Sequence, residues 1–91
     1  MLPIRELLWD DRNEAHIARH GVAIEEVEDV CWGHSLGVRI RPGRYRIIGQ
    51  TSAGRYLTVI LAYERGREFY VVTARHATQR ERGRLHSWRG R

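Results

Sequence analysis

The chain has 91 residues, a net charge of +5 and one cysteine, and all sixteen of its basic residues are Arg. That length holds one modest core, so a single domain over residues 1–91 is expected. One cysteine excludes an intrachain disulfide, no apolar run approaches a membrane span and no signal-peptide pattern opens the chain, so the expected setting is cytoplasmic, with no membrane partner.

The charge is unevenly divided. Residues 1–29 carry three Arg against eight acids, and residues 30–91 carry thirteen Arg against three acids. An anionic partner is expected for the later part. In chain order, Pro3 to Trp9 is expected to form a short first strand. Asp11 and Glu14 have the Asp-x-x-Glu form of a helix start, and that helix should end at His20 with Gly21 in the left-handed cap. A second helix is predicted from Ile24 to Trp32, where Ile24, Val27, Val30 and Cys31 form one apolar stripe. Cys31 there reads as a small buried hydrophobe. Glu25, Glu26, Glu28 and Asp29 cover the other side of that helix.

From Ser35 the period becomes two. Leu36, Val38 and Ile40 alternate with Gly37, Arg39 and Arg41, and Pro42-Gly43 turns the chain. Arg44 to Thr51 is the next strand, followed by a Ser52-Ala53-Gly54 turn. Tyr56 to Tyr63 and Phe69 to Ala74 are apolar on both faces and are predicted as central strands, joined through Arg65-Gly66-Arg67. Four successive strands with short turns imply an antiparallel meander. Thr78-Gln79-Arg80-Glu81 is a capping box opening a helix that runs to about Trp88. The expected class is α+β, an antiparallel sheet of four to five strands with two N-terminal helices and one C-terminal helix, in the order β-α-α-β-β-β-β-α.

The chemistry must come from these Arg-rich elements. His16 and His20 have metal-ligand spacing on a helix, but no third ligand is evident, so no metal and no cofactor is assigned. No Gly-rich phosphate loop and no carboxylate pair suited to two metals is present. What remains is a field of Arg with proton carriers nearby. Arg75 and His76 end the last strand just before a capped helix start, and Arg44, Arg46 and Arg55 lie on or beside the preceding strands. Tyr70, Glu68 and His86 are placed within reach. RNA can be cut without metal when a base takes the 2′-hydroxyl proton, cations hold the charge developing on phosphate, and an acid protonates the leaving 5′-oxygen. Arg suits the middle role.

Three blocks carry a family resemblance. WDDRNEAHIARHGVAIEEVEDV (Trp9 to Val30) resembles the opening of the BrnT toxins: a Trp-acid pair, a basic helix ending in basic-His-Gly-Val, then an acidic amphipathic helix. GRYRIIGQTSAGRYLTVIL (Gly43 to Leu61) is similar to that family's Arg-containing strand, Gly-x-Thr-like turn and Gly-Arg hairpin. VVTARHATQRER (Val71 to Arg82) is similar to its Ser/Thr-Ala-Arg-x-Ala-Thr-x-x-Glu-Arg signature. The resemblance implies a RelE/ParE-like fold and a toxin of a type II toxin–antitoxin pair, acting as an endoribonuclease on messenger RNA. It also implies neutralisation by a cognate, adjacently encoded antitoxin that binds operator DNA. The matching positions are His20, Arg44, Arg55, Arg75, Glu81 and Arg82. Arg75, His20, Arg44 and Glu81 are the expected catalytic residues, and Arg46, Arg55, Arg82, His76 and Tyr56 the expected RNA-binding ones. Leu85 stands near the place where such proteins often carry a Tyr, and His86 follows it. Two other readings fit the charge: a non-catalytic module of the same fold that binds nucleic acid or antitoxin, and an adaptor for an acidic protein.

Overall fold

The computed structural model describes residues 2–90. The elements are β1 (Glu6–Leu8), α1 (Asp11–Arg19), α2 (Ile24–Trp32), β2 (Leu36–Arg41), β3 (Arg44–Gln50), β4 (Tyr56–Arg65), β5 (Glu68–His76) and α3 (Gln79–Arg89). The sheet order is β1-β5-β4-β3-β2. The four later strands form the expected antiparallel meander, whereas β1 joins β5 in parallel, pairing Leu7 with Phe69. The sheet is therefore mixed rather than antiparallel throughout. The physical reason is the connection: α1 and α2 carry the chain from β1 across one face of the sheet to its far edge, which leaves β1 beside the last strand.

Local signals explain where the helices begin. The cap of α1 is Asp10, one residue earlier than the Asp11–Glu14 pair implied. Its carboxylate accepts from the Asn13 N–H at 2.9 Å, and the Asn13 carboxamide oxygen accepts from the Asp10 N–H at 2.8 Å. Asn13 is buried and donates through Nδ2 to the carbonyls of Leu8 and Val71, both at 3.0 Å, so one side chain ties α1 to β1 and β5. Helix α1 ends with Gly21 at φ 71°, the left-handed cap the sequence called for. Ala23 has no side chain to cap α2, and the Glu26 carboxylate accepts from its N–H at 3.0 Å instead.

The core lies between α1 and α2 and one face of the sheet. It gathers Ile17, Val27, Val30, Ile47, Leu57, Val59, Leu61, Phe69, Val71 and Ala74. Burial pushes the Cys31 thiol up to about 12, so it stays protonated within that core. The opposite face is covered in part by α3, where Leu85 and, on β3, Ile48 are fully buried. Helix α3 brings little apolar surface and has Gly83 in its interior, so its hold on the sheet depends on polar contacts as well.

One irregularity decides which residues face α3. Leu61 pairs with Val71 and Ile60 with Thr73, which leaves Val72 as an extra residue in β5. Without that bulge, alternation would put Arg75 on the same face as Val71, inside the core. With it, Ala74 takes the core side and Arg75 points to the α3 side.

Candidate functional site

Most of the candidate residues gather at one end of the sheet, around the start of α3, and they fall into three groups. The first is centred on Glu81, whose side chain is 8% exposed. Its carboxylate accepts two bonds from Arg75, Nη1 to Oε1 at 2.8 Å and Nη2 to Oε2 at 3.0 Å. It also accepts from the Thr58 hydroxyl at 2.8 Å and from the Thr78 N–H at 2.8 Å. Arg46 Nε lies 3.6 Å from Oε2. Burial alone would raise the Glu81 carboxyl; the bonds from Arg75, the Thr78 N–H and the Thr58 hydroxyl outweigh it and hold the carboxyl at about 2. Glu81 is therefore a fixed anion between two guanidinium groups, and the three together carry one excess positive charge. The capping box read from the sequence is present, with the Thr78 hydroxyl accepting from the Glu81 N–H at 3.1 Å.

The second group flanks α3. The Arg82 guanidinium sits 4.2 Å from the Tyr56 ring centroid, and His86 Nε2 shares a 3.0 Å hydrogen bond with the Tyr56 hydroxyl. Arg82 and His86 are four apart on one helix face, so both reach the same ring. Tyr56 and Thr58 are two apart on β4, which puts this group on the same sheet face as the first.

The third group lies on the other face. Arg55 donates to Glu26 at 2.7 Å and to the Gly21 carbonyl at 3.1 Å, and its Nη2 lies 2.7 Å from His76 Nε2. The Ala23 N–H, reinforced by Arg55, outweighs desolvation and holds the Glu26 carboxyl below the usual carboxylate range. Arg55 and Tyr56 are neighbours in sequence, as are Arg75 and His76, so alternation sends each pair to opposite sides. The field of Arg read from the sequence is thus divided by the sheet: Arg44, Arg46, Arg75 and Arg82 on the α3 side, Arg55 and His76 on the α1–α2 side.

The remaining candidates separate further. Arg44 pairs with Ala62 on the α3-side face and makes no ion pair among the described residues. The His20 ring meets His16 edge-on at 5.3 Å and has no hydrogen bond to any of the three groups. Among the described residues no three His, Cys, Asp or Glu side chains are gathered to hold a metal. Tyr70 is drawn away from Arg75: its hydroxyl donates to the Asp10 carboxylate at 3.1 Å. Glu68 pairs with Arg65 at the far hairpin. Leu85 is fully buried. Thr58 and the Tyr56–His86 bond were not anticipated. Period-two alternation alone separates Arg75 from His76; the Thr58–Glu81 bond has no sequence signal beyond a hydroxyl on an apolar strand.

A Glu-braced pair of Arg, with further Arg around an aromatic ring and a His, defines a small basic α+β protein whose α3 face suits phosphate. The family described as the ribonuclease toxin BrnT of type II toxin–antitoxin systems matches residues 9–81. The fold is similar to that in the 1.1 Å crystal structure of the Brucella abortus ribonuclease toxin BrnT, with a TM-score of 0.65 and 21% sequence identity over 81% of this chain and 97% of that one. No curated protein matches the chain. The chain belongs to the BrnT ribonuclease toxin family of type II toxin–antitoxin systems.

Proposed function

We propose that this chain is a metal-independent endoribonuclease that cleaves messenger RNA in the cytoplasm, on a RelE/ParE-like fold, as an mRNA interferase. The observation that carries the reading is the Arg75–Glu81–Arg46 cluster on the α3 face. A 2′-hydroxyl gives its proton to a base and its oxygen attacks phosphorus. The P–O5′ bond breaks, and the leaving 5′-oxygen takes a proton from the now protonated base or from water. A preorganised guanidinium pair is suited to hold the negative charge that grows on the non-bridging oxygens. Arg75 and Arg46 take that role, with Arg44 and Arg82 binding neighbouring phosphates. Glu81 is a positioning residue: a carboxyl held at about 2 stays ionised, fixes the Arg75 guanidinium plane through two hydrogen bonds and attracts the Arg46 guanidinium 3.6 Å away. Of His20, His76 and His86, only His86 shares the face of Arg75, so the base role falls to it, with Tyr56 orienting its ring. Arg55 and His76 brace α2 against the sheet end and meet RNA only at the rim.

A cognate antitoxin, encoded adjacently, covers the α3 face and alone connects the complex to operator DNA. The test is cleavage of a messenger RNA by purified protein in EDTA, alone and with ribosomes. Expected products carry 2′,3′-cyclic phosphates, and the neighbouring gene product copurifies and suppresses cutting. Cleavage that needs added Mg²⁺ or Zn²⁺ overturns the metal-independent reading. Salt-sensitive RNA binding without cleavage would make the chain a binding module of the same fold.

A further inference from the structure

We propose that the cleft between the C-terminal half of α3 and the start of β2 is a nucleobase subsite, holding one unpaired base of the RNA strand beside the cut. The proposal rests on the ribonuclease reading above. The cleft has a volume of about 360 Å³ and is lined by Leu36, Arg84, Ser87 and Trp88. That is at the low end of sites for small organic groups, roughly 300–1,000 Å³.

Four features converge on a base. Trp88 supplies an aromatic surface, and its ring is fixed by stacking on His34, with centroids 4.6 Å apart and planes 26° from parallel. An indole held in place stacks any base without sequence readout, because every base has a π-face. Leu36 adds an apolar wall. Arg84 makes no ion pair among the described residues, so its guanidinium is available for a phosphate or a base edge. The Ser87 hydroxyl lines the cleft and adds a donor and an acceptor. Arg84 with Ser87, and Arg84 with Trp88, are three and four apart, so the three present one helix face.

The position suits a strand that also meets the Arg75 cluster. Trp88 comes seven positions after Glu81, about 10 Å along the helix axis, within reach of a neighbouring nucleotide. The only acid on α3 is Glu81, which is buried, so the helix offers an RNA strand Arg80, Arg82, Arg84 and Arg89 and no exposed carboxylate among its described residues. Single-stranded RNA is recognised through stacking on aromatic side chains beside cationic ones, and this cleft combines both.

The test uses the full chain and an uncleavable probe, a six-nucleotide RNA with 2′-O-methyl on every sugar. Indole N–H signals are followed by ¹H–¹⁵N NMR, with the Trp88 signal assigned through Trp88→Phe. The probe is expected to shift the Trp88 signal. Removing the base at one fixed position should cancel that shift and weaken binding roughly tenfold. Trp88→Ala should weaken binding by a similar factor; if that variant does not fold, Arg84→Ala and the abasic series carry the test. Binding that leaves the Trp88 signal unmoved and is indifferent to every abasic position overturns the subsite and leaves the ribonuclease reading standing. So does a Trp88 signal that responds to the antitoxin but not to the probe. A probe that fails to bind at low salt overturns both.

Discussion

Replacing Glu81 by Gln should loosen α3 and do so in a pH-dependent way. The wild-type carboxyl is held at about 2, against an ordinary value of 4.5, because its ionised form is bound by Arg75, Thr78 and Thr58. A folded value below the unfolded one means stability that is fully present above about pH 4.5 and lost as pH falls through about 2. A displacement of about 2.5 pH units corresponds to about 3 kcal/mol. The guanidinium partners Arg75 and Arg46 are 35% and 31% exposed, and solvent screening lowers the expected loss in Glu81→Gln to about 2–3 kcal/mol at pH 7. The variant also leaves Arg46 and Arg75 facing each other without an anion. For a domain of this size the melting temperature should fall by roughly 10–20 °C. Circular dichroism melts of both proteins from pH 7 down to pH 2 test this. The gap between them should narrow steadily below about pH 4.5 and be mostly closed at pH 2, where the unfolded wild-type carboxyl is protonated and the folded one about half protonated. A gap that stays constant to pH 2, or a variant as stable as wild type at pH 7, would refute the account of Glu81 as the anion that fastens α3.

The other predictions are independent of one another. Arg75→Ala should lower single-turnover cleavage by roughly 100-fold or more and also cost about 2 kcal/mol, because Glu81 loses its two-pronged partner; if residual activity merely follows the folded fraction, Arg75 is structural. Arg82→Ala should lower the slope of log affinity for RNA against log salt by about 0.7, the share of one phosphate contact on a single strand, and an unchanged slope would remove Arg82 from the RNA path. Asn13→Ala should cost about 2–3 kcal/mol in urea denaturation, since the Leu8 and Val71 carbonyls and the Asp10 N–H of the α1 capping box all lose a partner. Gly83→Ala should stabilise by about 0.5–1 kcal/mol, because a Cβ there meets nothing within 4 Å and the residue lies inside a helix; a loss of stability would mean that α3 depends on the glycine.

Much of this protein is legible in local chemistry. The apolar stripe of α2, the glycine after α1, the Pro42-Gly43 turn and the Thr78–Glu81 box each act over a few residues, and each element appears where those signals place it. The three blocks that resemble BrnT toxins are likewise contiguous, and the family match over residues 9–81 spans most of what they cover. What tertiary structure alone decided is direction and pairing. A short strand such as Glu6–Leu8 carries no local mark of whether its neighbour will run parallel, because that depends on where two helices deliver the chain. The extra residue at Val72 turns Arg75 toward α3, and alternation then sends His76 and Arg55 to the other face, so a cluster that looks single in sequence becomes two. Glu81 shows the same division within one side chain. Its role as a helix cap is written in a spacing of three residues, whereas its hold on Arg75, Arg46 and Thr58 exists only because the folded sheet brings three strands beneath the first turn of the last helix.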